Sequence, residues 1–177
     1  VQRQDVLEEL LDYLASSIGS LTNANKITGA INTKTSNKIS DDTIAKYLKH
    51  TIDAFLISEA RRYDVKGKMY FDYPNKYYYS DVGLRNVRLN YRQIDSGYIM
   101  EDMIYNELIR RGYSVDVGVV EDRRNHNKKI KEIDFVVNNF DKKIYIQSAF
   151  RMDEQKKKET ELDSLKLTAD FFKKIVI

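Results

Sequence analysis

The chain has 177 residues, a formal net charge of +3, 42% hydrophobic and 32% charged residues. That is room for one large domain or two small ones. It contains no cysteine, which excludes disulfides, cysteine-ligated zinc and thiol nucleophiles; no apolar run reaches membrane-spanning length.

The opening, VQRQDVLEELL, is charged and amphipathic rather than a secretion signal. It also lacks an initiator Met, which is expected of a piece of a longer chain, and the composition fits a cytoplasmic protein. In residues 5–18, Val6, Leu7, Leu10, Leu11, Leu14 and Ile18 recur at helical spacing. A second helix is expected over about 22–32 and a polar loop over 33–39. Ser40 is a good N-cap, with Asp41 and Asp42 in the first turn, for a helix presenting Ile44, Tyr47, Leu48, Ile52, Phe55 and Leu56. Arg61, Arg62, a Lys66-Gly67-Lys68 turn and the strand-like KYYYSD at 76–81 follow. Helix, helix, capped helix, then a basic hairpin is the order of a winged helix-turn-helix, and equally of other three-helix units carrying a hairpin. As a wing, Arg61, Arg62, Lys66 and Lys68 would contact nucleic-acid phosphates.

Residues 82–96 read as a connection and 97–111 as a helix. Strands are expected at about 113–121, 132–138 and 143–150, then a long helix over 153–173 carrying Leu162, Leu165, Ala169 and Phe172, then a strand from 175. The order αβββαβ implies a sheet with helices packed on it. The division is therefore a helical module over 1–81 and an α/β unit over 82–177.

Polar residues inside apolar runs carry the functional signal. Glu101 falls within the stripe of Met100, Ile104, Tyr105, Leu108 and Ile109; Asp134 interrupts Ile133-Asp134-Phe135-Val136-Val137; Gln147 ends Ile144-Tyr145-Ile146. A carboxylate on a core-facing surface loses hydration and needs a cation, a donor or a proton. Converging acidic groups can hold Mg²⁺ through oxygen, and such an ion activates water. His50 and His126 are far apart in sequence and have easy surface readings. The basic stretch of Arg123, Arg124, Lys128, Lys129 and Lys131 is a second candidate for phosphate contact, and the run at 155–159 reads as a solvated helix face.

Glu101 on a first helix, Asp134 on a strand and Gln147-Ser148-Ala149 on the next resemble the PD-(D/E)XK nuclease superfamily. The resemblance implies a restriction-endonuclease-like domain with Glu101 and Asp134 as the metal ligands and Mg²⁺ as cofactor. Two departures imply lost catalysis: Ala149 stands at the lysine position, and Gln147 is neutral. Lys143 and Arg151 share strand parity with Ala149 and are the candidates for a migrated cation.

A second resemblance spans nearly the whole chain. Residues 39–68, KYYYSDVGLRN (76–86), GYIMEDMIYNELIRRGYSVDVG (97–118), KEIDFVV (131–137) and IYIQSAFRMDE (144–154) are similar to the C-terminal domain of unknown function that follows the P-loop module in prokaryotic AAA-type ATPases. It implies an upstream ATPase core in the same polypeptide, which would bind ATP. The 177 residues contain no GxxxxGK[ST] loop, so no ATP hydrolysis is expected of them alone. The combined expectation is an α+β or α/β chain in which a winged-helix module precedes a degenerate nuclease-like domain. It would serve as a non-catalytic accessory region that binds DNA or a partner protein; the alternative is a Mg²⁺-dependent nuclease.

Overall fold

The computed structural model describes residues 3–34, 38–124, 129–140, 142–150 and 162–177. The fold is mixed α+β. Three amphipathic helices come first: α1 (Gln4–Ser16), α2 (Ala24–Lys34) and α3 (Asp41–Asp53). Their buried residues, among them Leu10, Leu14, Ile27, Ile31, Ile44 and Leu48, share one core. The Ser40 side chain accepts the Thr43 N–H and starts α3. Phe55 and Leu56, expected on its apolar side, lie beyond its end, and Phe55 is 84% exposed.

Four short strands follow, β1 (Ile57–Ala60), β2 (Arg62–Asp64), β3 (Met69–Tyr70) and β4 (Lys76–Tyr79). β1 and β4 form a two-stranded antiparallel sheet. The basic segment between them does not belong to that pair. β2 runs parallel to β5 (Ser114–Asp122), with Arg62 opposite Val117, and carries β3 on its outer side. The expected wing is therefore two strands of the larger sheet, paired with residues about fifty positions away. That sheet has six strands in the order β3-β2-β5-β6-β7-β8, with β6 at Lys129–Asn139, β7 at Lys142–Gln147 and β8 at Lys173–Val176. β5, β6 and β7 are antiparallel neighbours, whereas β8 lies parallel to β7.

Two helices link the halves. The stretch 82–96, expected as a connection, contains α4 (Val82–Arg88), capped by the Asp81 side chain on the Leu84 N–H. α5 (Ser96–Arg110) is capped by Asp95, which accepts from the N–H groups of Gly97 and Tyr98. The long helix expected over 153–173 is also corrected: residues 162–166 are helical, Ala169 has φ 55°, and the chain reaches β8 at Lys173. Residues 151–161 lie outside the described part, as do Arg151 and the run at 155–159.

Residues 62–70 thus cross the expected division at 81, and one core cluster joins the helices to β1, β4, α5 and one face of the six-stranded sheet. The opposite face packs Ile133, Val136 and Tyr145 against Leu165. Among the described residues no helix is long and apolar enough to cross a membrane.

Candidate functional site

The site forms where β4, α5, β6 and the end of β7 meet. All four residues of β4 are buried, Lys76 included. The ring of Tyr78 stacks on Tyr105 of α5 with centroids 4.2 Å apart, so β4 lies against α5. That contact brings Lys76 and Tyr78 to Glu101, one turn into the helix. Tyr78 Oη donates to Glu101 Oε1 at 2.7 Å, and Lys76 Nζ donates to the same oxygen at 2.8 Å.

Lys76 is the centre of the cluster. Its ammonium is also 2.6 Å from Glu132 Oε1 and 3.8 Å from Asp134 Oδ1, and its side chain is only 4% exposed. Glu101 and Asp134 therefore approach each other through one shared cation. Gln147 lies beside them: its Oε1 accepts from the Asp134 backbone N–H at 3.4 Å and from Ser164 Oγ at 3.4 Å. The Ser148 N–H donates to Asp134 Oδ2 at 2.8 Å. Glu101, Asp134 and Gln147 all face a cleft of about 390 Å³, with Asp95, Tyr98 and Phe150 on its walls.

The electrostatics follow from burial. Desolvation pushes the Asp134 carboxyl up to about 7 and the neighbouring Glu101 adds to it, against the pull of Lys76 and the Ser148 N–H. Burial penalises the Lys76 ammonium, but Glu101, Glu132 and Asp134 outweigh that and hold it above the ordinary lysine range. The Tyr78 phenol is driven well up by burial and by Glu101. Beside Glu101, Asp102 is fully buried, and among the described residues neither of its carboxylate oxygens has a hydrogen-bond partner of good geometry, the Tyr79 N–H being the stabilising donor. Burial lifts it to about 8, although Arg85 pulls the other way.

Lys76 Nζ, 2.8 Å from Glu101 and 3.8 Å from Asp134, stands where a divalent ion shared by the two carboxylates would bind. An ion bound by Glu101 and Asp134 would sit against the Lys76 ammonium and be repelled. Among the described residues, no three His, Asp or Glu side chains form a metal-ligand group. The cluster can hold a proton on Asp134 and fix Glu101 through two donors.

Sequence reasoning missed Lys76, Glu132 and Asp102. Lys76 heads the buried Tyr77-Tyr78-Tyr79, the same kind of interruption that singled out Asp134, and Glu132 precedes Asp134 by two, on one strand face. Of the two candidates for a migrated cation, only Lys143 lies among the described residues. It lies over the rings of Tyr63 and Phe172, and Arg151 is outside those residues.

The basic candidates are mostly engaged within the molecule. The Arg61 and Arg62 guanidiniums lie over Tyr70 and Phe71, at 4.4 and 5.0 Å, while Lys66 and Lys68 are exposed at the β2–β3 turn. Arg123 pairs with Glu121, Arg124 with Asp122 and Asp163, and Lys131 with Asp163. Lys129 opens β6; Lys128 and His126 are outside the described residues, and His50 is exposed on α3.

The family whose model matches residues 1–95 is described as a domain of unknown function (DUF8612). Over half of the chain is matched, and the chain belongs to that family. The match includes Lys76 and stops before Glu101. The chain is also similar to a Haemophilus influenzae protein described as uncharacterized, 36% identical over 179 residues, which covers all of this chain and 41% of the relative. The chain thus spans well under half the length of that curated relative. No solved structure matches.

Proposed function

We propose that these residues form a non-catalytic accessory region of a longer AAA-type ATPase, a three-helix unit packed on a degenerate nuclease-like sheet, which binds DNA or a partner protein. The observation that carries the non-catalytic part is Lys76. Its ammonium takes the place between Glu101 and Asp134 that a metal ion would need, and it is enclosed rather than open to the cleft. The 41% coverage of the Haemophilus relative supports a place in a longer polypeptide. The resemblance of residues 39–154 to the region after a P-loop core supports an ATPase as the rest. ATP then binds outside these residues, and calorimetry on the 177-residue chain should show no saturable nucleotide binding. Saturable binding in the micromolar range would overturn that part.

One observation favours the alternative of a Mg²⁺-dependent nuclease. Lys76 supplies a cation beside the acidic pair although Ala149 does not. Ala149 contributes its backbone N–H to Ile177 O, at 2.8 Å. The enclosure of Lys76 weighs against that alternative, because a catalytic cation must reach the attacking water or the scissile phosphate.

A DNA role would rest on Lys66 and Lys68, with Arg61 beside them. Changing Lys66 and Lys68 to Glu should weaken DNA binding and flatten its salt dependence, since each phosphate contact releases counterions. Arg62 is left out because it packs on Phe71 within the sheet. Unchanged binding in a mobility-shift titration would remove this turn from any DNA contact.

A further inference from the structure

The six-stranded sheet is covered unevenly. On the face that carries α5, that helix packs chiefly on β4, β5 and β6. The β7–β8 half of the same face is only partly covered among the described residues: Ile146 is buried, while Ile144 and Ile175 are half-buried. It forms the floor of a groove of about 770 Å³, where Ile144, Ile146 and Ile175 lie between α5 and the outer edge of β8. Met103 of α5 (58% exposed), Phe150 (52%) and Ile177 (51%) form its lips. The helical residues at 162–166 do not help, because Leu165 packs on the opposite face.

β7 and β8 are a parallel pair, and parallel strands are stable when both faces are covered, normally by helices. Exposed apolar lips over a half-covered apolar floor form a surface on which a further element can dock. A helix lying beside α5 would cover it, with an apolar stripe towards Ile144 and Ile175. We infer that an amphipathic helix from another part of the same longer polypeptide, outside these 177 residues, fills the groove. The inference rests on the reading that this is an accessory region of a longer protein. It is supported by the matched relative, more than half of whose length lies outside the matched region. The contact makes the β7–β8 face a docking face.

The test uses the full-length protein that contains this region, with photoreactive p-benzoylphenylalanine at Met103 and mass-spectrometric mapping of the products. The expected result is an intramolecular cross-link, unchanged by dilution, to a peptide outside residues 1–177. Phe150→Glu, at an exposed lip, should reduce its yield about ten-fold by placing a charge in the contact. Cross-links confined to residues 1–177, cross-links between two copies, or none at all would overturn the inference. ATP binding by the same full-length protein is measured separately. Its absence would remove the ATPase reading while leaving the cross-link result to stand or fall alone.

Discussion

Lys76 is a buried charge whose three partners are carboxylates, so its removal exposes a strong asymmetry. Burying an ion pair gains little, but deleting one partner leaves the others uncompensated. Lys76→Met should therefore lower stability at neutral pH by about 3–5 kcal/mol, measured by urea unfolding. A loss below about 1 kcal/mol would mean that the cluster is solvated like a surface pair. Asp102 and Asp134 give a pH signature. Both hold their protons to higher pH when folded than the ordinary aspartate value of 3.8, Asp134 to about 7 and Asp102 to about 8. The folded state then binds more protons than the unfolded chain, so their contribution is full at acid pH and is lost as pH rises through about 7 and 8. Asp102→Asn, which mimics the protonated carboxyl, should raise the Tm over the parent most at about pH 9 and least at about pH 3.5, below the unfolded aspartate value of 3.8. Equal shifts at both would show that Asp102 does not titrate in this range. Gly19 adds a steric constraint: at φ 68° it faces Glu101, whose Oε1 would lie 3.2 Å from an added Cβ. Gly19→Ala should cost roughly 1–2 kcal/mol for the left-handed backbone alone, read by the same unfolding measurement.

The elements that sequence reading recovered are those with local signals. α1 and α3 have long amphipathic periods, and Ser40 caps α3. β5, β6 and β7 are apolar runs separated by polar turns. α4 was missed because seven residues containing Gly83 carry little periodicity, although Asp81 was present as its cap. Asp81→Ala should test how far that cap defines the element, with an expected loss of about 1 kcal/mol and faster amide exchange over 82–88. No change in either would mean that packing alone holds α4. The overextended last helix failed for the opposite reason. Ala169 and Phe172 sit at helical spacing after Leu162 and Leu165, but parallel pairing with β7 draws Lys173–Val176 into a strand. Nor does any local feature of Arg61–Lys68 announce a parallel partner at Val117 to Val119. The basic residues looked like a wing because sign and spacing are visible in sequence, whereas the strand they join is not.

Across the molecule, the acidic half of the candidate site was readable and its cation was not. Glu101, Asp134 and Gln147 each break an apolar run, which is a one-dimensional signal. Lys76 meets them only because β4 packs on α5 through Tyr78 and Tyr105. That meeting joins the part of the chain matched by the DUF8612 family to the part beyond it. The buried ammonium gives Glu101, Glu132 and Asp134 one shared partner, and the groove beside α5 is the docking face inferred for the sheet. The decisive measurement is a Mn²⁺ and Mg²⁺ titration of the purified chain combined with a plasmid-nicking assay, run in parallel on Asp134→Ala. With Lys76 holding the acidic pair, no saturable metal binding between Glu101 and Asp134 and no nicking above background are expected. Metal-dependent nicking that disappears in Asp134→Ala would contradict it and establish an active nuclease.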